Sequence, residues 1–560
     1  IKSRNDKCDK SGNGNIQRRM SIVGHAIEIM KEKKETVINM ELVSTVASTD
    51  SQKHYEYGFR LALLLIGLVI VLFLAALDRT IVATALPQIA SDYKAFNQIS
   101  WVAMSYLLTK TAFQPAYGKI SDIFGRRSTL IFAVGVFELG SLLSASAPNI
   151  TSLIIFRAVQ GVGGGGIVSL VMIVISDIVP FKNRAKYQGM FGAVYGLASL
   201  AGPVVGGAFT ESATWRWCFY VNLPLGAITV AIMIFMLHLP PRQGSLMDKI
   251  KRIDWCGSIL LILGTITLLL ALSWGGDKYS WKDPIIIGLL AGGVLLLVLF
   301  LIVEAFVSIE PISPIHLFKN RSLLACFGVN FFQAMSFFAS IYYVPLYFQV
   351  VKGKSPSSSG FELMPYILAV AFGSIISCQL VSRFEKITGK HACEFGGFLI
   401  VAGAILTSLL DANSSRVAQT CYLVTSGLGV GFIMQTVFIC SVLAVEEVDV
   451  PFVISIMVFF RSIGAVFGIS IIGTIFKNAL SKHVLTLGLN VPAEDLKDST
   501  MFMHNLSGAQ QHIVIDAYVR SLQEAFRIMI PFGILCFLCA LAIKKTMRSS
   551  SECEVQNYSM

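Results

Sequence analysis

Charge is what this chain has least of: only 14% of its 560 residues are Asp, Glu, Lys or Arg, where a soluble domain carries roughly a quarter. Beside 54% apolar residues, that shortage excludes an ordinary water-soluble domain and reads as a chain with many membrane spans. A disulfide framework is also missing. The eleven cysteines are scattered, and Cys326, Cys378, Cys440 and Cys536 lie inside apolar runs. Cys536 and Cys539 form a C-x-x-C with no second pair or histidines nearby, so small packing residues are expected there, with no metal and no cofactor. No aromatic-rich basic module accompanies the net charge of +11, so nucleic acid is not an expected partner. Nor is ATP: the glycine-rich GVGGGGI follows no Walker spacing and lies within an apolar run. The chain opens on Ile1 rather than Met, which leaves its true start open. Its first apolar run begins only near Arg60, so no cleavable signal peptide is expected.

What is present is a long series of apolar runs, each near the roughly twenty residues a membrane span needs. The first opens at Arg60 and ends near Pro87. Five more centre on residues 104–114, 129–146, 153–178, 190–209 and 219–237, two on 256–274 and 284–306, and six on 323–348, 361–381, 393–410, 417–444, 452–476 and 526–543. The total is fourteen, grouped as six, two and six. The expected organisation is a disordered cytoplasmic tail over 1–56, a six-span bundle over 57–240, and a linker with two extra spans over 241–320. A second six-span bundle follows over 321–545, with a long outer loop at 477–525, and a cytoplasmic tail over 546–560. Lys and Arg are about twice as frequent in the short inner loops as in the short outer ones, a bias that puts both ends inside. Within the long outer loop, Ile513, Ile515, Tyr518, Val519, Leu522 and Phe526 stand near helical spacing, which predicts an amphipathic helix lying on the outer surface. Of the N-x-S/T sequons, Asn149 and Asn413 fall outside but close to a span. Asn505 alone sits far enough from one to be an expected glycosylation site.

A short, densely charged stretch between spans is GKISDIFGRRSTL, residues 118–130, expected as a loop clamped between two apolar runs. Asp122, Arg126 and Arg127 are too costly for hydrocarbon, so the loop belongs at the membrane surface, and Gly118 and Gly125 allow close approach and a sharp turn. Within the spans, Asp78 and Arg157 stand out. An intramembrane acid usually faces a cavity or a partner, so Asp78 is a candidate proton-binding or substrate-binding carboxylate, unless it marks a solvated span end. Asp78 and Arg79 are adjacent, so at most one is expected to serve the same cavity. Arg157 stays charged and needs carboxylate, carbonyl or water partners, unless it snorkels to the outer interface. Glycines 163–166 beside it permit close helix contact or local unwinding. A later span carries Gly196, Gly202, Pro203, Gly206 and Gly207, which alone indicate a kinked, closely packed helix. Glu138, Asn330, Gln333, Gln349, Gln379 and Gln435 are cavity or helix-helix candidates. Phe331, Phe332, Phe337, Phe338, Tyr342 and Tyr343 form an aromatic cluster suited either to bulky ligands or to lipid.

G-K-x-S-D-x-x-G-R-R resembles the loop between spans two and three of the major facilitator superfamily, and R-x-x-Q-G-x-G from Arg157 resembles its fourth-span motif. G-x-x-x-x-x-G-P-x-x-G-G from Gly196 resembles the fifth-span antiporter motif of its drug:proton exporters. W-R-W-x-F-x-x-N-x-P from Trp215 and LDRTIVATALPQIASDY resemble the fourteen-span drug:proton antiporters, especially the fungal toxin and multidrug efflux carriers. FFRSIGAVFGISIIG, with Arg461 expected near the inner end, resembles their thirteenth span, whereas SRFEKITGKH only faintly echoes the Gly118 loop. The resemblance implies an all-α membrane protein with the major facilitator fold: two six-helix bundles plus two extra central spans. It implies a non-enzymatic transporter that exports amphipathic small molecules in exchange for protons, by alternating access, from the cell membrane or alternatively a vacuolar membrane. Asp78 and Arg157 would couple protons. Gly118, Asp122, Gly125, Arg126 and Arg127 would form an inner gate whose charge pairs hold the two halves together. The helix with Gly196, Gly202, Pro203, Gly206 and Gly207 would be the antiporter hinge. Same-fold siderophore or vacuolar basic amino-acid carriers are the rival reading, followed by a non-transporting receptor.

Overall fold

The computed structural model describes residues 58–544 apart from 96–97, 180, 238–244, 277, 309, 355, 384–387 and 487–507. Both expected tails and Asn505 therefore lie outside the described residues. All long elements are α-helices: α1 Gly58–Tyr93, α2 Ser100–Phe124, α3 Arg126–Ala145, α4 Ile150–Ile178, α5 Phe181–Ser212 and α6 Trp217–Met236. The pair α7 Trp255–Trp274 and α8 Pro284–Phe306 follows. Then come α9 Arg321–Val350, α10 Met364–Arg383, α11 Gly389–Thr407, α12 Arg416–Leu443, α13 Val450–Thr486, α14 Gly508–Arg527 and α15 Met529–Ala542. Their starts follow from local chemistry. Asn149, Asp254, Asp283, Asn320 and Ser415 each accept a backbone N–H from the first turn that follows, satisfying donors the helix cannot.

Among the described residues, twelve helices are long and apolar enough to cross a membrane. The chain is thus a multi-pass membrane protein. The other two expected spans, α2 with 25 residues and α5 with 32, fall outside that set. Ser105, Thr109, Lys110, Thr111 and Gln114 dilute α2, and Lys182, Asn183, Arg184 and Lys186 open α5. The figure of fourteen rests on these two.

Helices α1 to α6 pack mainly among themselves, as do α9 to α15. The two groups meet along two seams, α2 with α13 and α5 with α10. Helix α7 lies on α2 and α13, where Trp101 and Trp274 meet edge to face at 5.6 Å. Helix α8 packs on α7 and leaves Val294, Leu295, Val298 and Leu301 exposed, a surface suited to lipid.

Two local expectations are corrected. The reversal around Gly118 is not a loop, because α2 runs on to Phe124 and α3 starts at Arg126. The turn is Gly125 alone, with φ of 93°, a region that side chains rarely enter. Further on, α13 extends to Thr486, so the outer segment is shorter than expected. The amphipathic helix there, α14, buries Val514, Ala517, Tyr518, Leu522 and Phe526 against the chain itself, chiefly α13. Most of its apolar face is thus covered by protein.

Candidate functional site

On α1, Val71, Ala75, Asp78 and Val82 recur every three or four residues and are buried, so helical periodicity alone turns Asp78 inward. Leu153, Arg157, Gln160 and Gly164 form the matching buried stripe on α4. Where the stripes face each other, Arg157 Nη1 donates to Asp78 Oδ2 at 2.8 Å and to Oδ1 at 3.0 Å, and to Gln160 Oε1 at 2.7 Å. Gln160 Nε2 donates back to Asp78 Oδ1 at 2.9 Å. Arg157 Nε reaches Val102 O at 3.2 Å, and its guanidinium lies over the Tyr106 ring at 4.3 Å. Asp78 is 0% exposed and Arg157 1%. Asp78 is therefore not a solvated helix end, nor does Arg157 snorkel. A buried charge survives only when paired and hydrogen-bonded, and this arrangement supplies both.

Gln160 was not among the expected site residues. Its position three residues after Arg157, on the same helix face, is the signal that finds it. Lys110 was missed as well. It is 4% exposed in the middle of α2, with Nζ 3.4 Å from Tyr106 Oη and 5.3 Å from the ring centroid; a lone lysine in an apolar run is its signal. Arg79 turns away from Asp78, and its guanidinium lies 4.7 Å over Phe338 of α9, across the divide between the helix groups. Arg461 of α13 reaches back in the same way over Tyr195 of α5, at 5.7 Å. Glu138 of α3 sits against Gly226 of α6, both its oxygens buried without a hydrogen-bond partner among the described residues. Gln333 and Gln435 are fully buried with both amide atoms equally unpartnered.

The glycines of α4 stay helical, so close contact, not unwinding, is their role. A Cβ at Gly164 would strike the Tyr106 hydroxyl at 2.7 Å, so glycine there lets Tyr106 stand under Arg157. On α5, Gly202 and Gly206 press on α1 at Thr80, Ile81 and Thr84, within two turns of Asp78, and Thr80 Oγ1 donates to Ala198 O at 3.2 Å. Gly196 instead faces Ile367 of α10, on the seam. Pro203 lies between them in the helix. Gly207 meets nothing within 4 Å of its would-be Cβ.

At the other end of α2, Gly118 touches α13: a Cβ would lie 2.6 Å from Ser455 Oγ and 3.0 Å from Pro451 O. The charged residues behave otherwise than expected. Arg126 is 3.6 Å from Asp122 and 3.1 Å from Asp177 of α4, and Arg127 donates to Ile234 O of α6 at 2.7 Å. These bonds stay within the first helix group, because Arg126 and Arg127 open α3 and project back along α4 and α6. An ionic link beyond that group is made by Lys119. Its Nζ lies 2.7 Å from Glu310 Oε2 in the connector before α9, and 5.6 Å over the Phe452 ring of α13. Arg252 grips the same carboxylate through Nε at 2.7 Å and Nη2 at 3.1 Å. These donors, Arg252 first and then Lys119, hold the Glu310 carboxyl down to about 2, and the pairing raises Arg252.

The Trp215 motif is architectural. Trp215 Nε1 donates to Asp92 at 2.8 Å and Arg216 caps α3 at Ala145 O and Ala147 O, tying the ends of α1, α3 and α6. Trp217 is exposed, as an interface aromatic would be. Cys536 packs against Val329 and Cys539 against Gly328 of α9. Asn149 spends its side chain capping α4, donated to by Ser152 N at 2.8 Å.

Residues 68–469 match the family model of the Major Facilitator Superfamily. The chain is 39% identical over 424 residues to the multidrug transporter protein MdtP of Bacillus subtilis, covering 76% of each. It is 34% identical over 494 residues to the efflux pump dotC of Dothistroma septosporum, covering 87% of this chain and 84% of that one. It is also 34% identical over 507 residues to the vacuolar membrane amino acid uptake transporter fnx2 of Schizosaccharomyces pombe, covering 89% and 86%. Among solved structures, the human organic anion transporter MFSD10 aligns with a TM-score of 0.56 at 14% identity, over 86% of this chain and 100% of that one. That last likeness is one of fold alone.

Proposed function

The chain belongs to the major facilitator superfamily, and from that membership we propose that it exports amphipathic small molecules across the cell membrane in exchange for protons. The observation that carries this reading is the buried bond between Asp78 and Arg157, closed by Gln160. Asp78 is the only one of the three able to change charge under ordinary conditions, since a guanidinium stays protonated. With the carboxylate ionised, α1 and α4 are tied. A proton on Asp78 removes the attraction and leaves Arg157 with Gln160, Val102 O and Tyr106. Breaking such a buried pair costs about 3–5 kcal/mol, enough to bias two arrangements of a helix bundle. Gly202 and Gly206 place α5 directly on α1 beside Asp78, which supports the expected hinge. Gly118 and Lys119 are the inner gate, on the end the basic-residue bias assigns to the cytoplasm. Asn505 is proposed as glycosylated.

The reading is tested by accumulation of a fluorescent amphipathic drug in cells with and without the protein. Lower accumulation that is lost with Asp78→Asn, with Arg157→Ala, or on collapsing the pH gradient supports it. Mutants that reach the membrane and pump at wild-type rates overturn the coupling assignment. The similarity to the vacuolar carrier favours one second reading, uptake of amino acids into the vacuole. Microscopy of a tagged chain separates the two membranes.

A further inference from the structure

Around the Asp78–Arg157 bond stand three further cations. Arg79 lies over Phe338 at 4.7 Å, Lys110 over Tyr106 at 5.3 Å, and Arg461 over Tyr195 at 5.7 Å. Arg79 is close enough to act electrostatically on both Lys110 and Arg461, so the three share one neighbourhood. No carboxylate among the described residues comes within ion-pair distance of any of them. Asp78 is taken up by Arg157 and Gln160, and Glu138 faces Gly226 within the first helix group.

Cations held in hydrocarbon without counterions are expensive, and mutual repulsion adds to the cost. Aromatic faces recover part of it. The missing partner is an anion. Two of the three cations, Arg79 and Arg461, reach across the divide between the helix groups in opposite directions. An anion bound there would meet charge from both groups at once, with the rings of Tyr106, Tyr195 and Phe338 offering flat apolar surface beside it.

We propose that the substrate is an anionic aromatic molecule, its carboxylate or phenolate met by Arg79, Lys110 and Arg461 and its ring by Tyr106, Tyr195 and Phe338; this rests on the export reading above. The assignment disfavours the aromatic cations for which an acidic cavity would be needed, since among the described residues the uncommitted carboxyl nearby, Glu138, sits against Gly226 within the first helix group.

The test uses three probes with one ring system: anthracene-2-carboxylate, 2-(hydroxymethyl)anthracene and protonated 2-(aminomethyl)anthracene. Binding to the purified full-length chain is first measured without any gradient, by fluorescence. The carboxylate binds about tenfold or more tighter than the ammonium, a difference of about 1.4 kcal/mol. Arg79→Gln, Lys110→Gln and Arg461→Gln each weaken the carboxylate by a similar factor and leave the alcohol unchanged, whereas Arg79→Lys and Arg461→Lys retain it. Equal or tighter binding of the ammonium, no binding of the carboxylate, or losses shared by all three probes overturns the proposal. If a glutamine variant is not recovered folded, the wild-type order of the probes and the lysine variants decide. Flux into proteoliposomes under a pH gradient is measured second. Carboxylate bound selectively but not moved by the gradient sinks the export reading and supports the substrate class. Gradient-driven movement of the ammonium but not the carboxylate does the reverse.

Discussion

Lys119 Nζ lies 2.7 Å from Glu310 Oε2, joining the inner end of α2 to the connector that leads into α9. Arg252 holds the other side of the same carboxylate, so one acid ties both strands of the linker to the gate. Surface pairs contribute at most about 1 kcal/mol, but Lys119 is 7% exposed, so loss of Glu310 leaves a buried cation against Phe452 without that counterion, and loss of Lys119 leaves Glu310 to Arg252 alone. Glu310→Gln and Lys119→Gln are expected to favour opening of the seam where Gly118 meets Ser455. The check is maleimide labelling of Ser455→Cys, read by mass spectrometry of its peptide. Labelling rises about fivefold in either variant, the population change that roughly 1 kcal/mol produces; unchanged labelling removes Glu310 from the gate.

The same carboxyl sets a pH rule. Its ordinary value of 4.5 is held down to about 2 by Arg252 and Lys119. A depressed carboxyl contributes stability that is complete above the ordinary value and is lost as pH falls through the lowered one. The latch is therefore constant across the physiological range and weakens only in strong acid. Ser455→Cys labelling in the otherwise native chain should not change between neutral and mildly acidic buffer on account of Glu310. A gate that loosens near neutrality, and still does so in Glu310→Gln, takes its pH response from a group other than Glu310.

Asp78→Asn is expected to cost more than transport. It leaves Arg157, 1% exposed, without its counterion, a loss of about 3–5 kcal/mol. Adding Arg157→Gln removes the stranded charge. Thermal unfolding of the purified chain should fall sharply in the single variant and recover in the double, while drug export stays absent in both. Recovered export in the double variant means that the pair is structural and the proton binds elsewhere.

Asp78 and Arg157 were legible because a charge inside an apolar run has to be explained, and twelve of the expected spans because their apolar length leaves no other solution. Gln160 and Lys110 lay within motifs and runs already singled out, yet residue type alone does not say which neighbour a side chain meets. The gate was less legible. Asp122, Arg126 and Arg127 carry the obvious charge, but helix direction at Gly125 sends the arginines back along α4 and α6, and Gly118 and Lys119 make the contacts to α13. For α14 the period was right and the covering surface was not readable, since an amphipathic face looks the same whether lipid or α13 lies against it.

Gly202 and Gly207 belong to one motif but occupy different surroundings. A methyl group at Gly202 would overlap the Thr80 side chain and lie 3.0 Å from Ile81 N, whereas one at Gly207 meets nothing within 4 Å. Overpacking of a tight helix contact costs about 1–3 kcal/mol, and here it would push α5 off α1 two residues from Asp78. Gly202→Ala should therefore depress export and the thermal midpoint together, and Gly207→Ala should leave both near wild type. Pairing Gly202→Ala with Thr80→Ala removes the facing hydroxyl, the atom the methyl would meet first, and should restore part of the loss. Equal damage at 202 and 207 would instead mean that the motif acts through backbone flexibility in α5, because flexibility does not distinguish a covered face from an open one.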